Sequence, residues 1–198
     1  MNKPKLFILC IVLFSSVLLS SRLLWADMPP YQQTEFKIPE SYQENIKGYP
    51  SSWRRLSGYE YSALHWDQFV VVYTNNGGDI YANNHFEFMR IYEEDLDYEE
   101  GEASYKDYAV GTILLKESFL SQNSRPGLSL LLSGMIKREK GYDSAFGDWE
   151  YFQSKKNGEI IVSGNSKDAE IQTMCIGCHS NIQDKDFVFA THYSLSPR

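Results

Sequence analysis

Three residues near the C-terminus carry the densest chemistry in this sequence: Cys175, Cys178 and His179, in the run CIGCH. Two thiols three positions apart lie about one helical turn from each other, and the next residue adds an imidazole. Such a set can form a disulfide, act as a thiol–disulfide redox pair, bind a metal, or take a haem through two thioethers with the histidine on its iron. A thiol redox pair normally sits in a βαβ pattern, which this chain does not show. Zinc asks for four N, S or O ligands with a second close pair, and the other histidines, His65, His85 and His192, are scattered. The spacing therefore points to one covalently attached haem c, with Cys175 and Cys178 as attachment points and His179 as axial ligand.

Only 19 residues follow His179, and no methionine is among them. Met174, beside the motif, cannot reach the opposite haem face, and Met89 and Met135 read as core or sheet residues. A missing sixth protein ligand implies an open coordination site, which suits small-molecule binding or catalysis better than simple electron carriage.

Attachment of this kind belongs to an exported protein, and the N-terminus is built for export. Lys3 and Lys5 precede an uncharged apolar run from Leu6 to Leu19, and small and polar residues lead to Ala26. Residues 1–26 thus read as a signal peptide and the mature chain as periplasmic; left uncleaved, the segment would be a membrane anchor. Cleavage also removes Cys10, leaving only the two motif cysteines, and moves the formal net charge from −7 to −10. That charge opposes phosphate binding and excludes a nucleic-acid partner. Glu93, Glu94, Asp95, Asp97, Glu99, Glu100 and Glu102 concentrate it within ten residues, either as a solvated loop or as a docking patch for a basic redox partner such as a cytochrome.

The elements that must position the motif follow from patterning. The length and 42% hydrophobic content suit one domain. Residues 27–65, rich in Pro, Tyr and Gln, read as an N-terminal arm with one short helix around Ser41 to Lys47, lying over the core. Trp66 to Thr74 (WDQFVVVYT) is β-branched and aromatic and ends at Asn75-Asn76-Gly77-Gly78, which predicts a central strand and a turn. His85 to Tyr92 fits strand or helix. Gly111 to Leu120 (GTILLKESFL) predicts a strand with Ile113, Leu115, Glu117 and Phe119 on one face and Thr112, Leu114, Lys116 and Ser118 on the other. Further strands are expected over Leu128 to Lys137, Asp148 to Gln153 and Gly158 to Ser163, the middle connection being the turn-rich GYDSAFG. A helix beginning near Lys167 carries the motif. The fold class is α+β and β-rich: a compact antiparallel sheet with a C-terminal haem-bearing helix, spanning residues 66–198.

In that order, GTILLKE, GYDSAFGDWEYF, CIGCH and DFVFATHY resemble the cytochrome P-460 family, over roughly Trp66 to Tyr193. The resemblance implies a homodimeric β-sheet protein with five-coordinate haem. Some members oxidise hydroxylamine, while the related cytochromes c-prime-beta bind nitric oxide without that chemistry. It also implies a lysine cross-linked to the porphyrin edge, matched here by Lys116, and a carboxylate acting as distal base, sought at Glu170. An arginine associated with the distal pocket would fall on WDQFVVVYT, where this chain has apolar residues such as Val70; Arg90 is the alternative. By residue type alone, Lys116 reads equally as an exposed sheet lysine or a partner of Glu117. Glu170 reads as a first-turn glutamate favoured by the helix dipole, and Trp149, Tyr151, Phe187 and Phe189 as core or haem-packing residues.

Overall fold

The computed structural model describes residues 36–65, 67–93 and 103–194; the stretch expected to be a signal peptide, residues 1–26, and the acidic run beyond Glu93 lie outside them. Seven strands form one antiparallel sheet: β1 (Arg54–Arg55), β2 (Glu60–Ser62), β3 (Gln68–Thr74), β4 (Ile113–Gln122), β5 (Arg125–Lys137), β6 (Trp149–Lys155) and β7 (Ile160–Gly164). The order is β1-β3-β4-β5-β6-β7, with β2 pairing beside β1 on β3. Short turns join β4 to β5 and β6 to β7, whereas a helix and a long connection lie between the paired strands β3 and β4. The β4–β5 hairpin turns at Asn123 and Ser124, both left-handed at φ 51° and 60°, which matches the twist of the strands it joins.

Alternation along each strand gives the sheet two apolar faces. On one, Ile113, Leu115, Leu132, Ile136 and Phe152 pack beneath Tyr42, Ile46, Tyr49 and Trp53 of the N-terminal arm. The arm does lie over the core, but its helix shrinks to a single 3-10 turn, Glu40–Tyr42, and Arg54–Arg55 and Glu60–Ser62 join the sheet itself. Tyr42 stacks on Phe152 at 4.1 Å between ring centroids, and Gly134 opposite has no room for a side chain against that ring.

On the other face, Leu114, Met135, Trp149, Tyr151 and Val162 pack against Ile171, Ile176, Phe187, Val188 and Ala190 of the C-terminal segment. The first helix, α1 (Gly78–Glu93), settles the ambiguous stretch around His85 to Tyr92. Its tertiary anchors are Asn84, fully buried between the backbone N–H and C=O of Lys106 at 2.9 Å, and Tyr81, whose hydroxyl donates to the His192 carbonyl at 2.9 Å. The second helix, α2, spans 169–179 in three pieces: Ala169–Ile171, a π turn over Gln172–Ile176, and Gly177–His179. A 3-10 segment, Ser180–Lys185, continues from it.

Candidate haem site

Asp168 caps α2, accepting the N–H groups of Glu170 at 2.8 Å and Ile171 at 3.3 Å, two donors that the first turn leaves without partners. The start of the helix is tied to the sheet through Ser166, whose N–H and hydroxyl both donate to Asp143 of the GYDSAFG connection, at 2.8 and 2.7 Å. The π turn that follows contains Cys175, and π turns often mark functional positions on helices. Both thiols are free. Burial pushes the Cys175 thiol up to about 11, so it is protonated at neutral pH.

His179 is held on three sides. Its ring meets Tyr151 edge-on at 5.5 Å and Phe189 at 5.2 Å between centroids. Its Nδ1 lies 2.6 Å from the carbonyl oxygen of Phe187. A carbonyl only accepts, so Nδ1 carries the proton and Nε2 keeps its lone pair. Burial lowers the imidazole to about 4, against the raising effect of that hydrogen bond, and the ring is therefore neutral at physiological pH.

The acceptor carbonyl belongs to an unusual turn. Asp186 and Phe187 are consecutive left-handed residues, φ 50° and 64°, a conformation costing roughly 1–3 kcal/mol for each non-glycine residue. Trp149, fully buried on β6, donates Nε1–H to the Asp186 carbonyl at 2.8 Å. In the connection before β6, Asp148 accepts the N–H groups of Gly141 at 3.1 Å and Asp143 at 2.8 Å. GYDSAFGDW and DFVF, far apart in sequence, thus meet behind His179.

Lys116 sits on β4 directly across from Val72 on β3 and Ser133 on β5, on the face that α2 covers. Glu117, next in sequence, points to the opposite face. There Tyr49 donates its hydroxyl to it beneath the arm. Lys116 is thus no partner of Glu117, nor an exposed sheet lysine. It keeps some exposed surface, yet enough protein surrounds its ammonium that burial lowers it to about 8, the Cys175 and Cys178 sulfurs pulling the other way. No hydrogen bond or ion pair holds its amine among the described residues. Tyr151, whose ring meets His179, has a buried hydroxyl without a partner among the described residues.

Of the residues expected at a site, the fold brings together Lys116, Cys175, Cys178 and His179. Glu170 stands exposed on the first turn of α2. Arg90 pairs with Glu87 at 2.9 Å on α1, and Val70 is buried in β3. His85 bonds the Ala190 carbonyl at 2.8 Å and His192 is exposed. His65, read from sequence as structural or exposed, has a structural bond and also lies near the group. Its Nδ1 is 2.6 Å from the Ser62 hydroxyl, and burial, with repulsion from Lys116 and His179, lowers it to about 3. No sequence signal marked it, because a lone histidine before a strand has no motif.

Among the described residues, no three His, Cys, Asp or Glu side chains gather as metal ligands do. The two thiols are instead spaced along a helix, beside a histidine whose Nε2 is free and a partnerless buried tyrosine hydroxyl. This donor set fits a haem flanked by two cysteines and ligated by one histidine. An antiparallel sheet carrying such a helix across one face defines a haem-binding cytochrome of the β-sheet kind. The chain matches the family model for Cytochrome P460 over residues 65–190, well over half its length, and it belongs to that family. A search of curated proteins found no match.

Proposed function

We propose that this chain is an exported mono-haem c-type cytochrome that oxidises hydroxylamine or a related small nitrogen compound. The observation that carries the reading is the buried, unpaired amine of Lys116, on the sheet face covered by the Cys175–His179 helix. In this reading Cys175 and Cys178 would hold a haem through thioethers and His179 would ligate its iron through Nε2. Bound there, haem would supply an iron able to take a small nitrogen ligand and to accept its electrons. Lys116 would bring an amine of which about a tenth is neutral at pH 7; bonding the ring edge would replace a ring C–H, release two protons and pass two electrons to an oxidant of the peroxide class. Leu114 and Met135 keep water from that face. Glu170 takes up released protons. The chain would act in the periplasm after loss of residues 1–26, as a homodimer, with a cytochrome as electron acceptor.

A second reading, a nitric-oxide binder without turnover, is favoured by one observation: Glu170 is exposed, and the charged or sulfur-bearing groups acting on Lys116 include no carboxylate. Optical and resonance Raman spectra of the purified ferric and ferrous protein, with hydroxylamine and with nitric oxide, test both. Turnover of hydroxylamine supports the enzyme, and nitric-oxide binding without turnover supports the binder. A low-spin, six-coordinate iron that refuses both ligands would sink the two together.

A further inference from the structure

The carbonyl that receives the His179 hydrogen bond is fixed by groups that do not themselves touch His179. The Asp186 carboxylate accepts the Lys137 ammonium at 2.5 and 2.6 Å and the Tyr108 N–H at 2.9 Å. Its carbonyl takes the Trp149 Nε1–H, its N–H reaches the Gln183 carbonyl at 3.1 Å, and the Phe187 N–H reaches that of Ile182 at 3.0 Å. The ion pair is nearly enclosed, with side-chain exposures of 12% and 5%. Lys137 also lies over the Trp149 ring at 4.9 Å and pairs with Trp149 across the β5–β6 ladder. Two strained left-handed residues are thereby clamped to the sheet rather than left to a loop.

A buried ion pair gains little stability over an apolar pair of the same volume, so stability alone does not account for this one. It does fix direction. An imidazole that donates a short, well-aligned Nδ1–H to a fixed acceptor has a more electron-rich Nε2, and groups behind a ligating histidine tune the metal in this way. We propose that Lys137 and Asp186 are positioning residues which, through the Phe187 carbonyl, set the strength of the hydrogen bond from His179 and hence its donation to iron. The inference rests on the haem reading above.

The test uses the haem-loaded protein and the double variant Lys137→Met/Asp186→Asn. Asparagine tolerates the left-handed conformation and keeps an oxygen for the Tyr108 N–H, methionine fills the lysine stem, and no lone buried charge remains. Covalent haem should be retained. The ferrous iron–histidine stretching band should move to lower frequency and the reduction potential should rise, as the weakened hydrogen bond makes the ring a poorer donor. Lys137→Arg, which preserves the pair, should keep both near wild-type values. Trp149→Phe, which removes the bond to the Asp186 carbonyl together with part of the ring beneath Lys137, should shift both in the same direction as the double variant. An unchanged band and potential in the double variant, with haem in place, would overturn the proposal while leaving the haem reading intact. A Lys137→Arg protein as disturbed as the double variant would also overturn it. Absence of covalent haem from the wild-type protein would overturn the haem reading, and this inference with it.

Discussion

The ring of Phe187 lies so close to the backbone of Gly147 that a Cβ there would stand 2.6 Å from its Cδ2. Gly147 is also left-handed, at φ 69°, so a side chain would be strained in conformation and would collide with the residue whose carbonyl orients His179. The conformation costs about 1–3 kcal/mol and the overlap a similar amount. Gly147→Ala is therefore expected to lose about 2–6 kcal/mol in guanidinium unfolding followed by tryptophan fluorescence.

The proposed attachment through both thiols would make haem inseparable from the polypeptide. After denaturation and acid–organic extraction, haem should stay with the wild-type chain one to one and leave a Cys175→Ala/Cys178→Ala variant. Full retention in that variant would remove the thioethers from the account.

The Lys116 amine gives a dependence on pH with a definite sign. Only the neutral amine is nucleophilic, and its ammonium titrates near 8 instead of near 10.5. Cross-linking to haem should therefore accelerate as pH rises toward and through about 8, then level off. Peptide mass spectrometry should find Lys116 joined to the haem that carries Cys175 and Cys178. Lys116→Leu should keep the thioethers, show an ordinary c-type spectrum and lose hydroxylamine oxidation. An unmodified wild-type Lys116 peptide with an ordinary spectrum would turn the reading to the nitric-oxide binder.

His65 stores a second pH dependence. Its imidazole is held near 3 in the fold against 6.5 in the unfolded chain, so the unfolded state binds the extra proton between those values. The stability that its neutral form contributes is present above about 6.5 and drains away as pH falls toward 3. Thermal melts of the haem-loaded protein from pH 7 to pH 4 should fall less steeply for His65→Gln, which can still bond Ser62 but does not titrate. Equal slopes would mean that His65 is solvated.

Much of this was legible in the residue order. Period-two alternation placed Lys116 and Leu114 on one face of β4 and Ile113, Leu115 and Glu117 on the other, because a strand leaves no freedom in that choice. The strand cores were legible for the same reason, and their ends were not. The β4–β5 turn uses Asn123-Ser124 without glycine, so β4 runs to Gln122 where an end at Leu120 was expected. The stretch His85 to Tyr92 in α1 was ambiguous because its partial alternation fits a strand as well as a helix; Asn84 and Tyr81 anchor the helix to distant backbone, which no local pattern encodes. The CIGCH motif was plain, but the turn behind its histidine depends on a lysine, a tryptophan and a glycine from two other segments. Glu170 was favoured by nearness in sequence to the motif, and one residue's rotation about a helix decides whether such nearness means contact.

Because Lys116 and Glu117 are neighbours that serve opposite faces, gain or loss of one codon within β4, between Ile113 and Lys116, would exchange them. A carboxylate would then enter the pocket, and a lysine would be driven beneath Tyr49 and Tyr73. Point substitutions can drift along this strand without touching that assignment. Changes in its length cannot, so among descendants of this sequence the spacing from Val72 to Ser133 should vary only in the loops outside the two ladders that meet at Lys116.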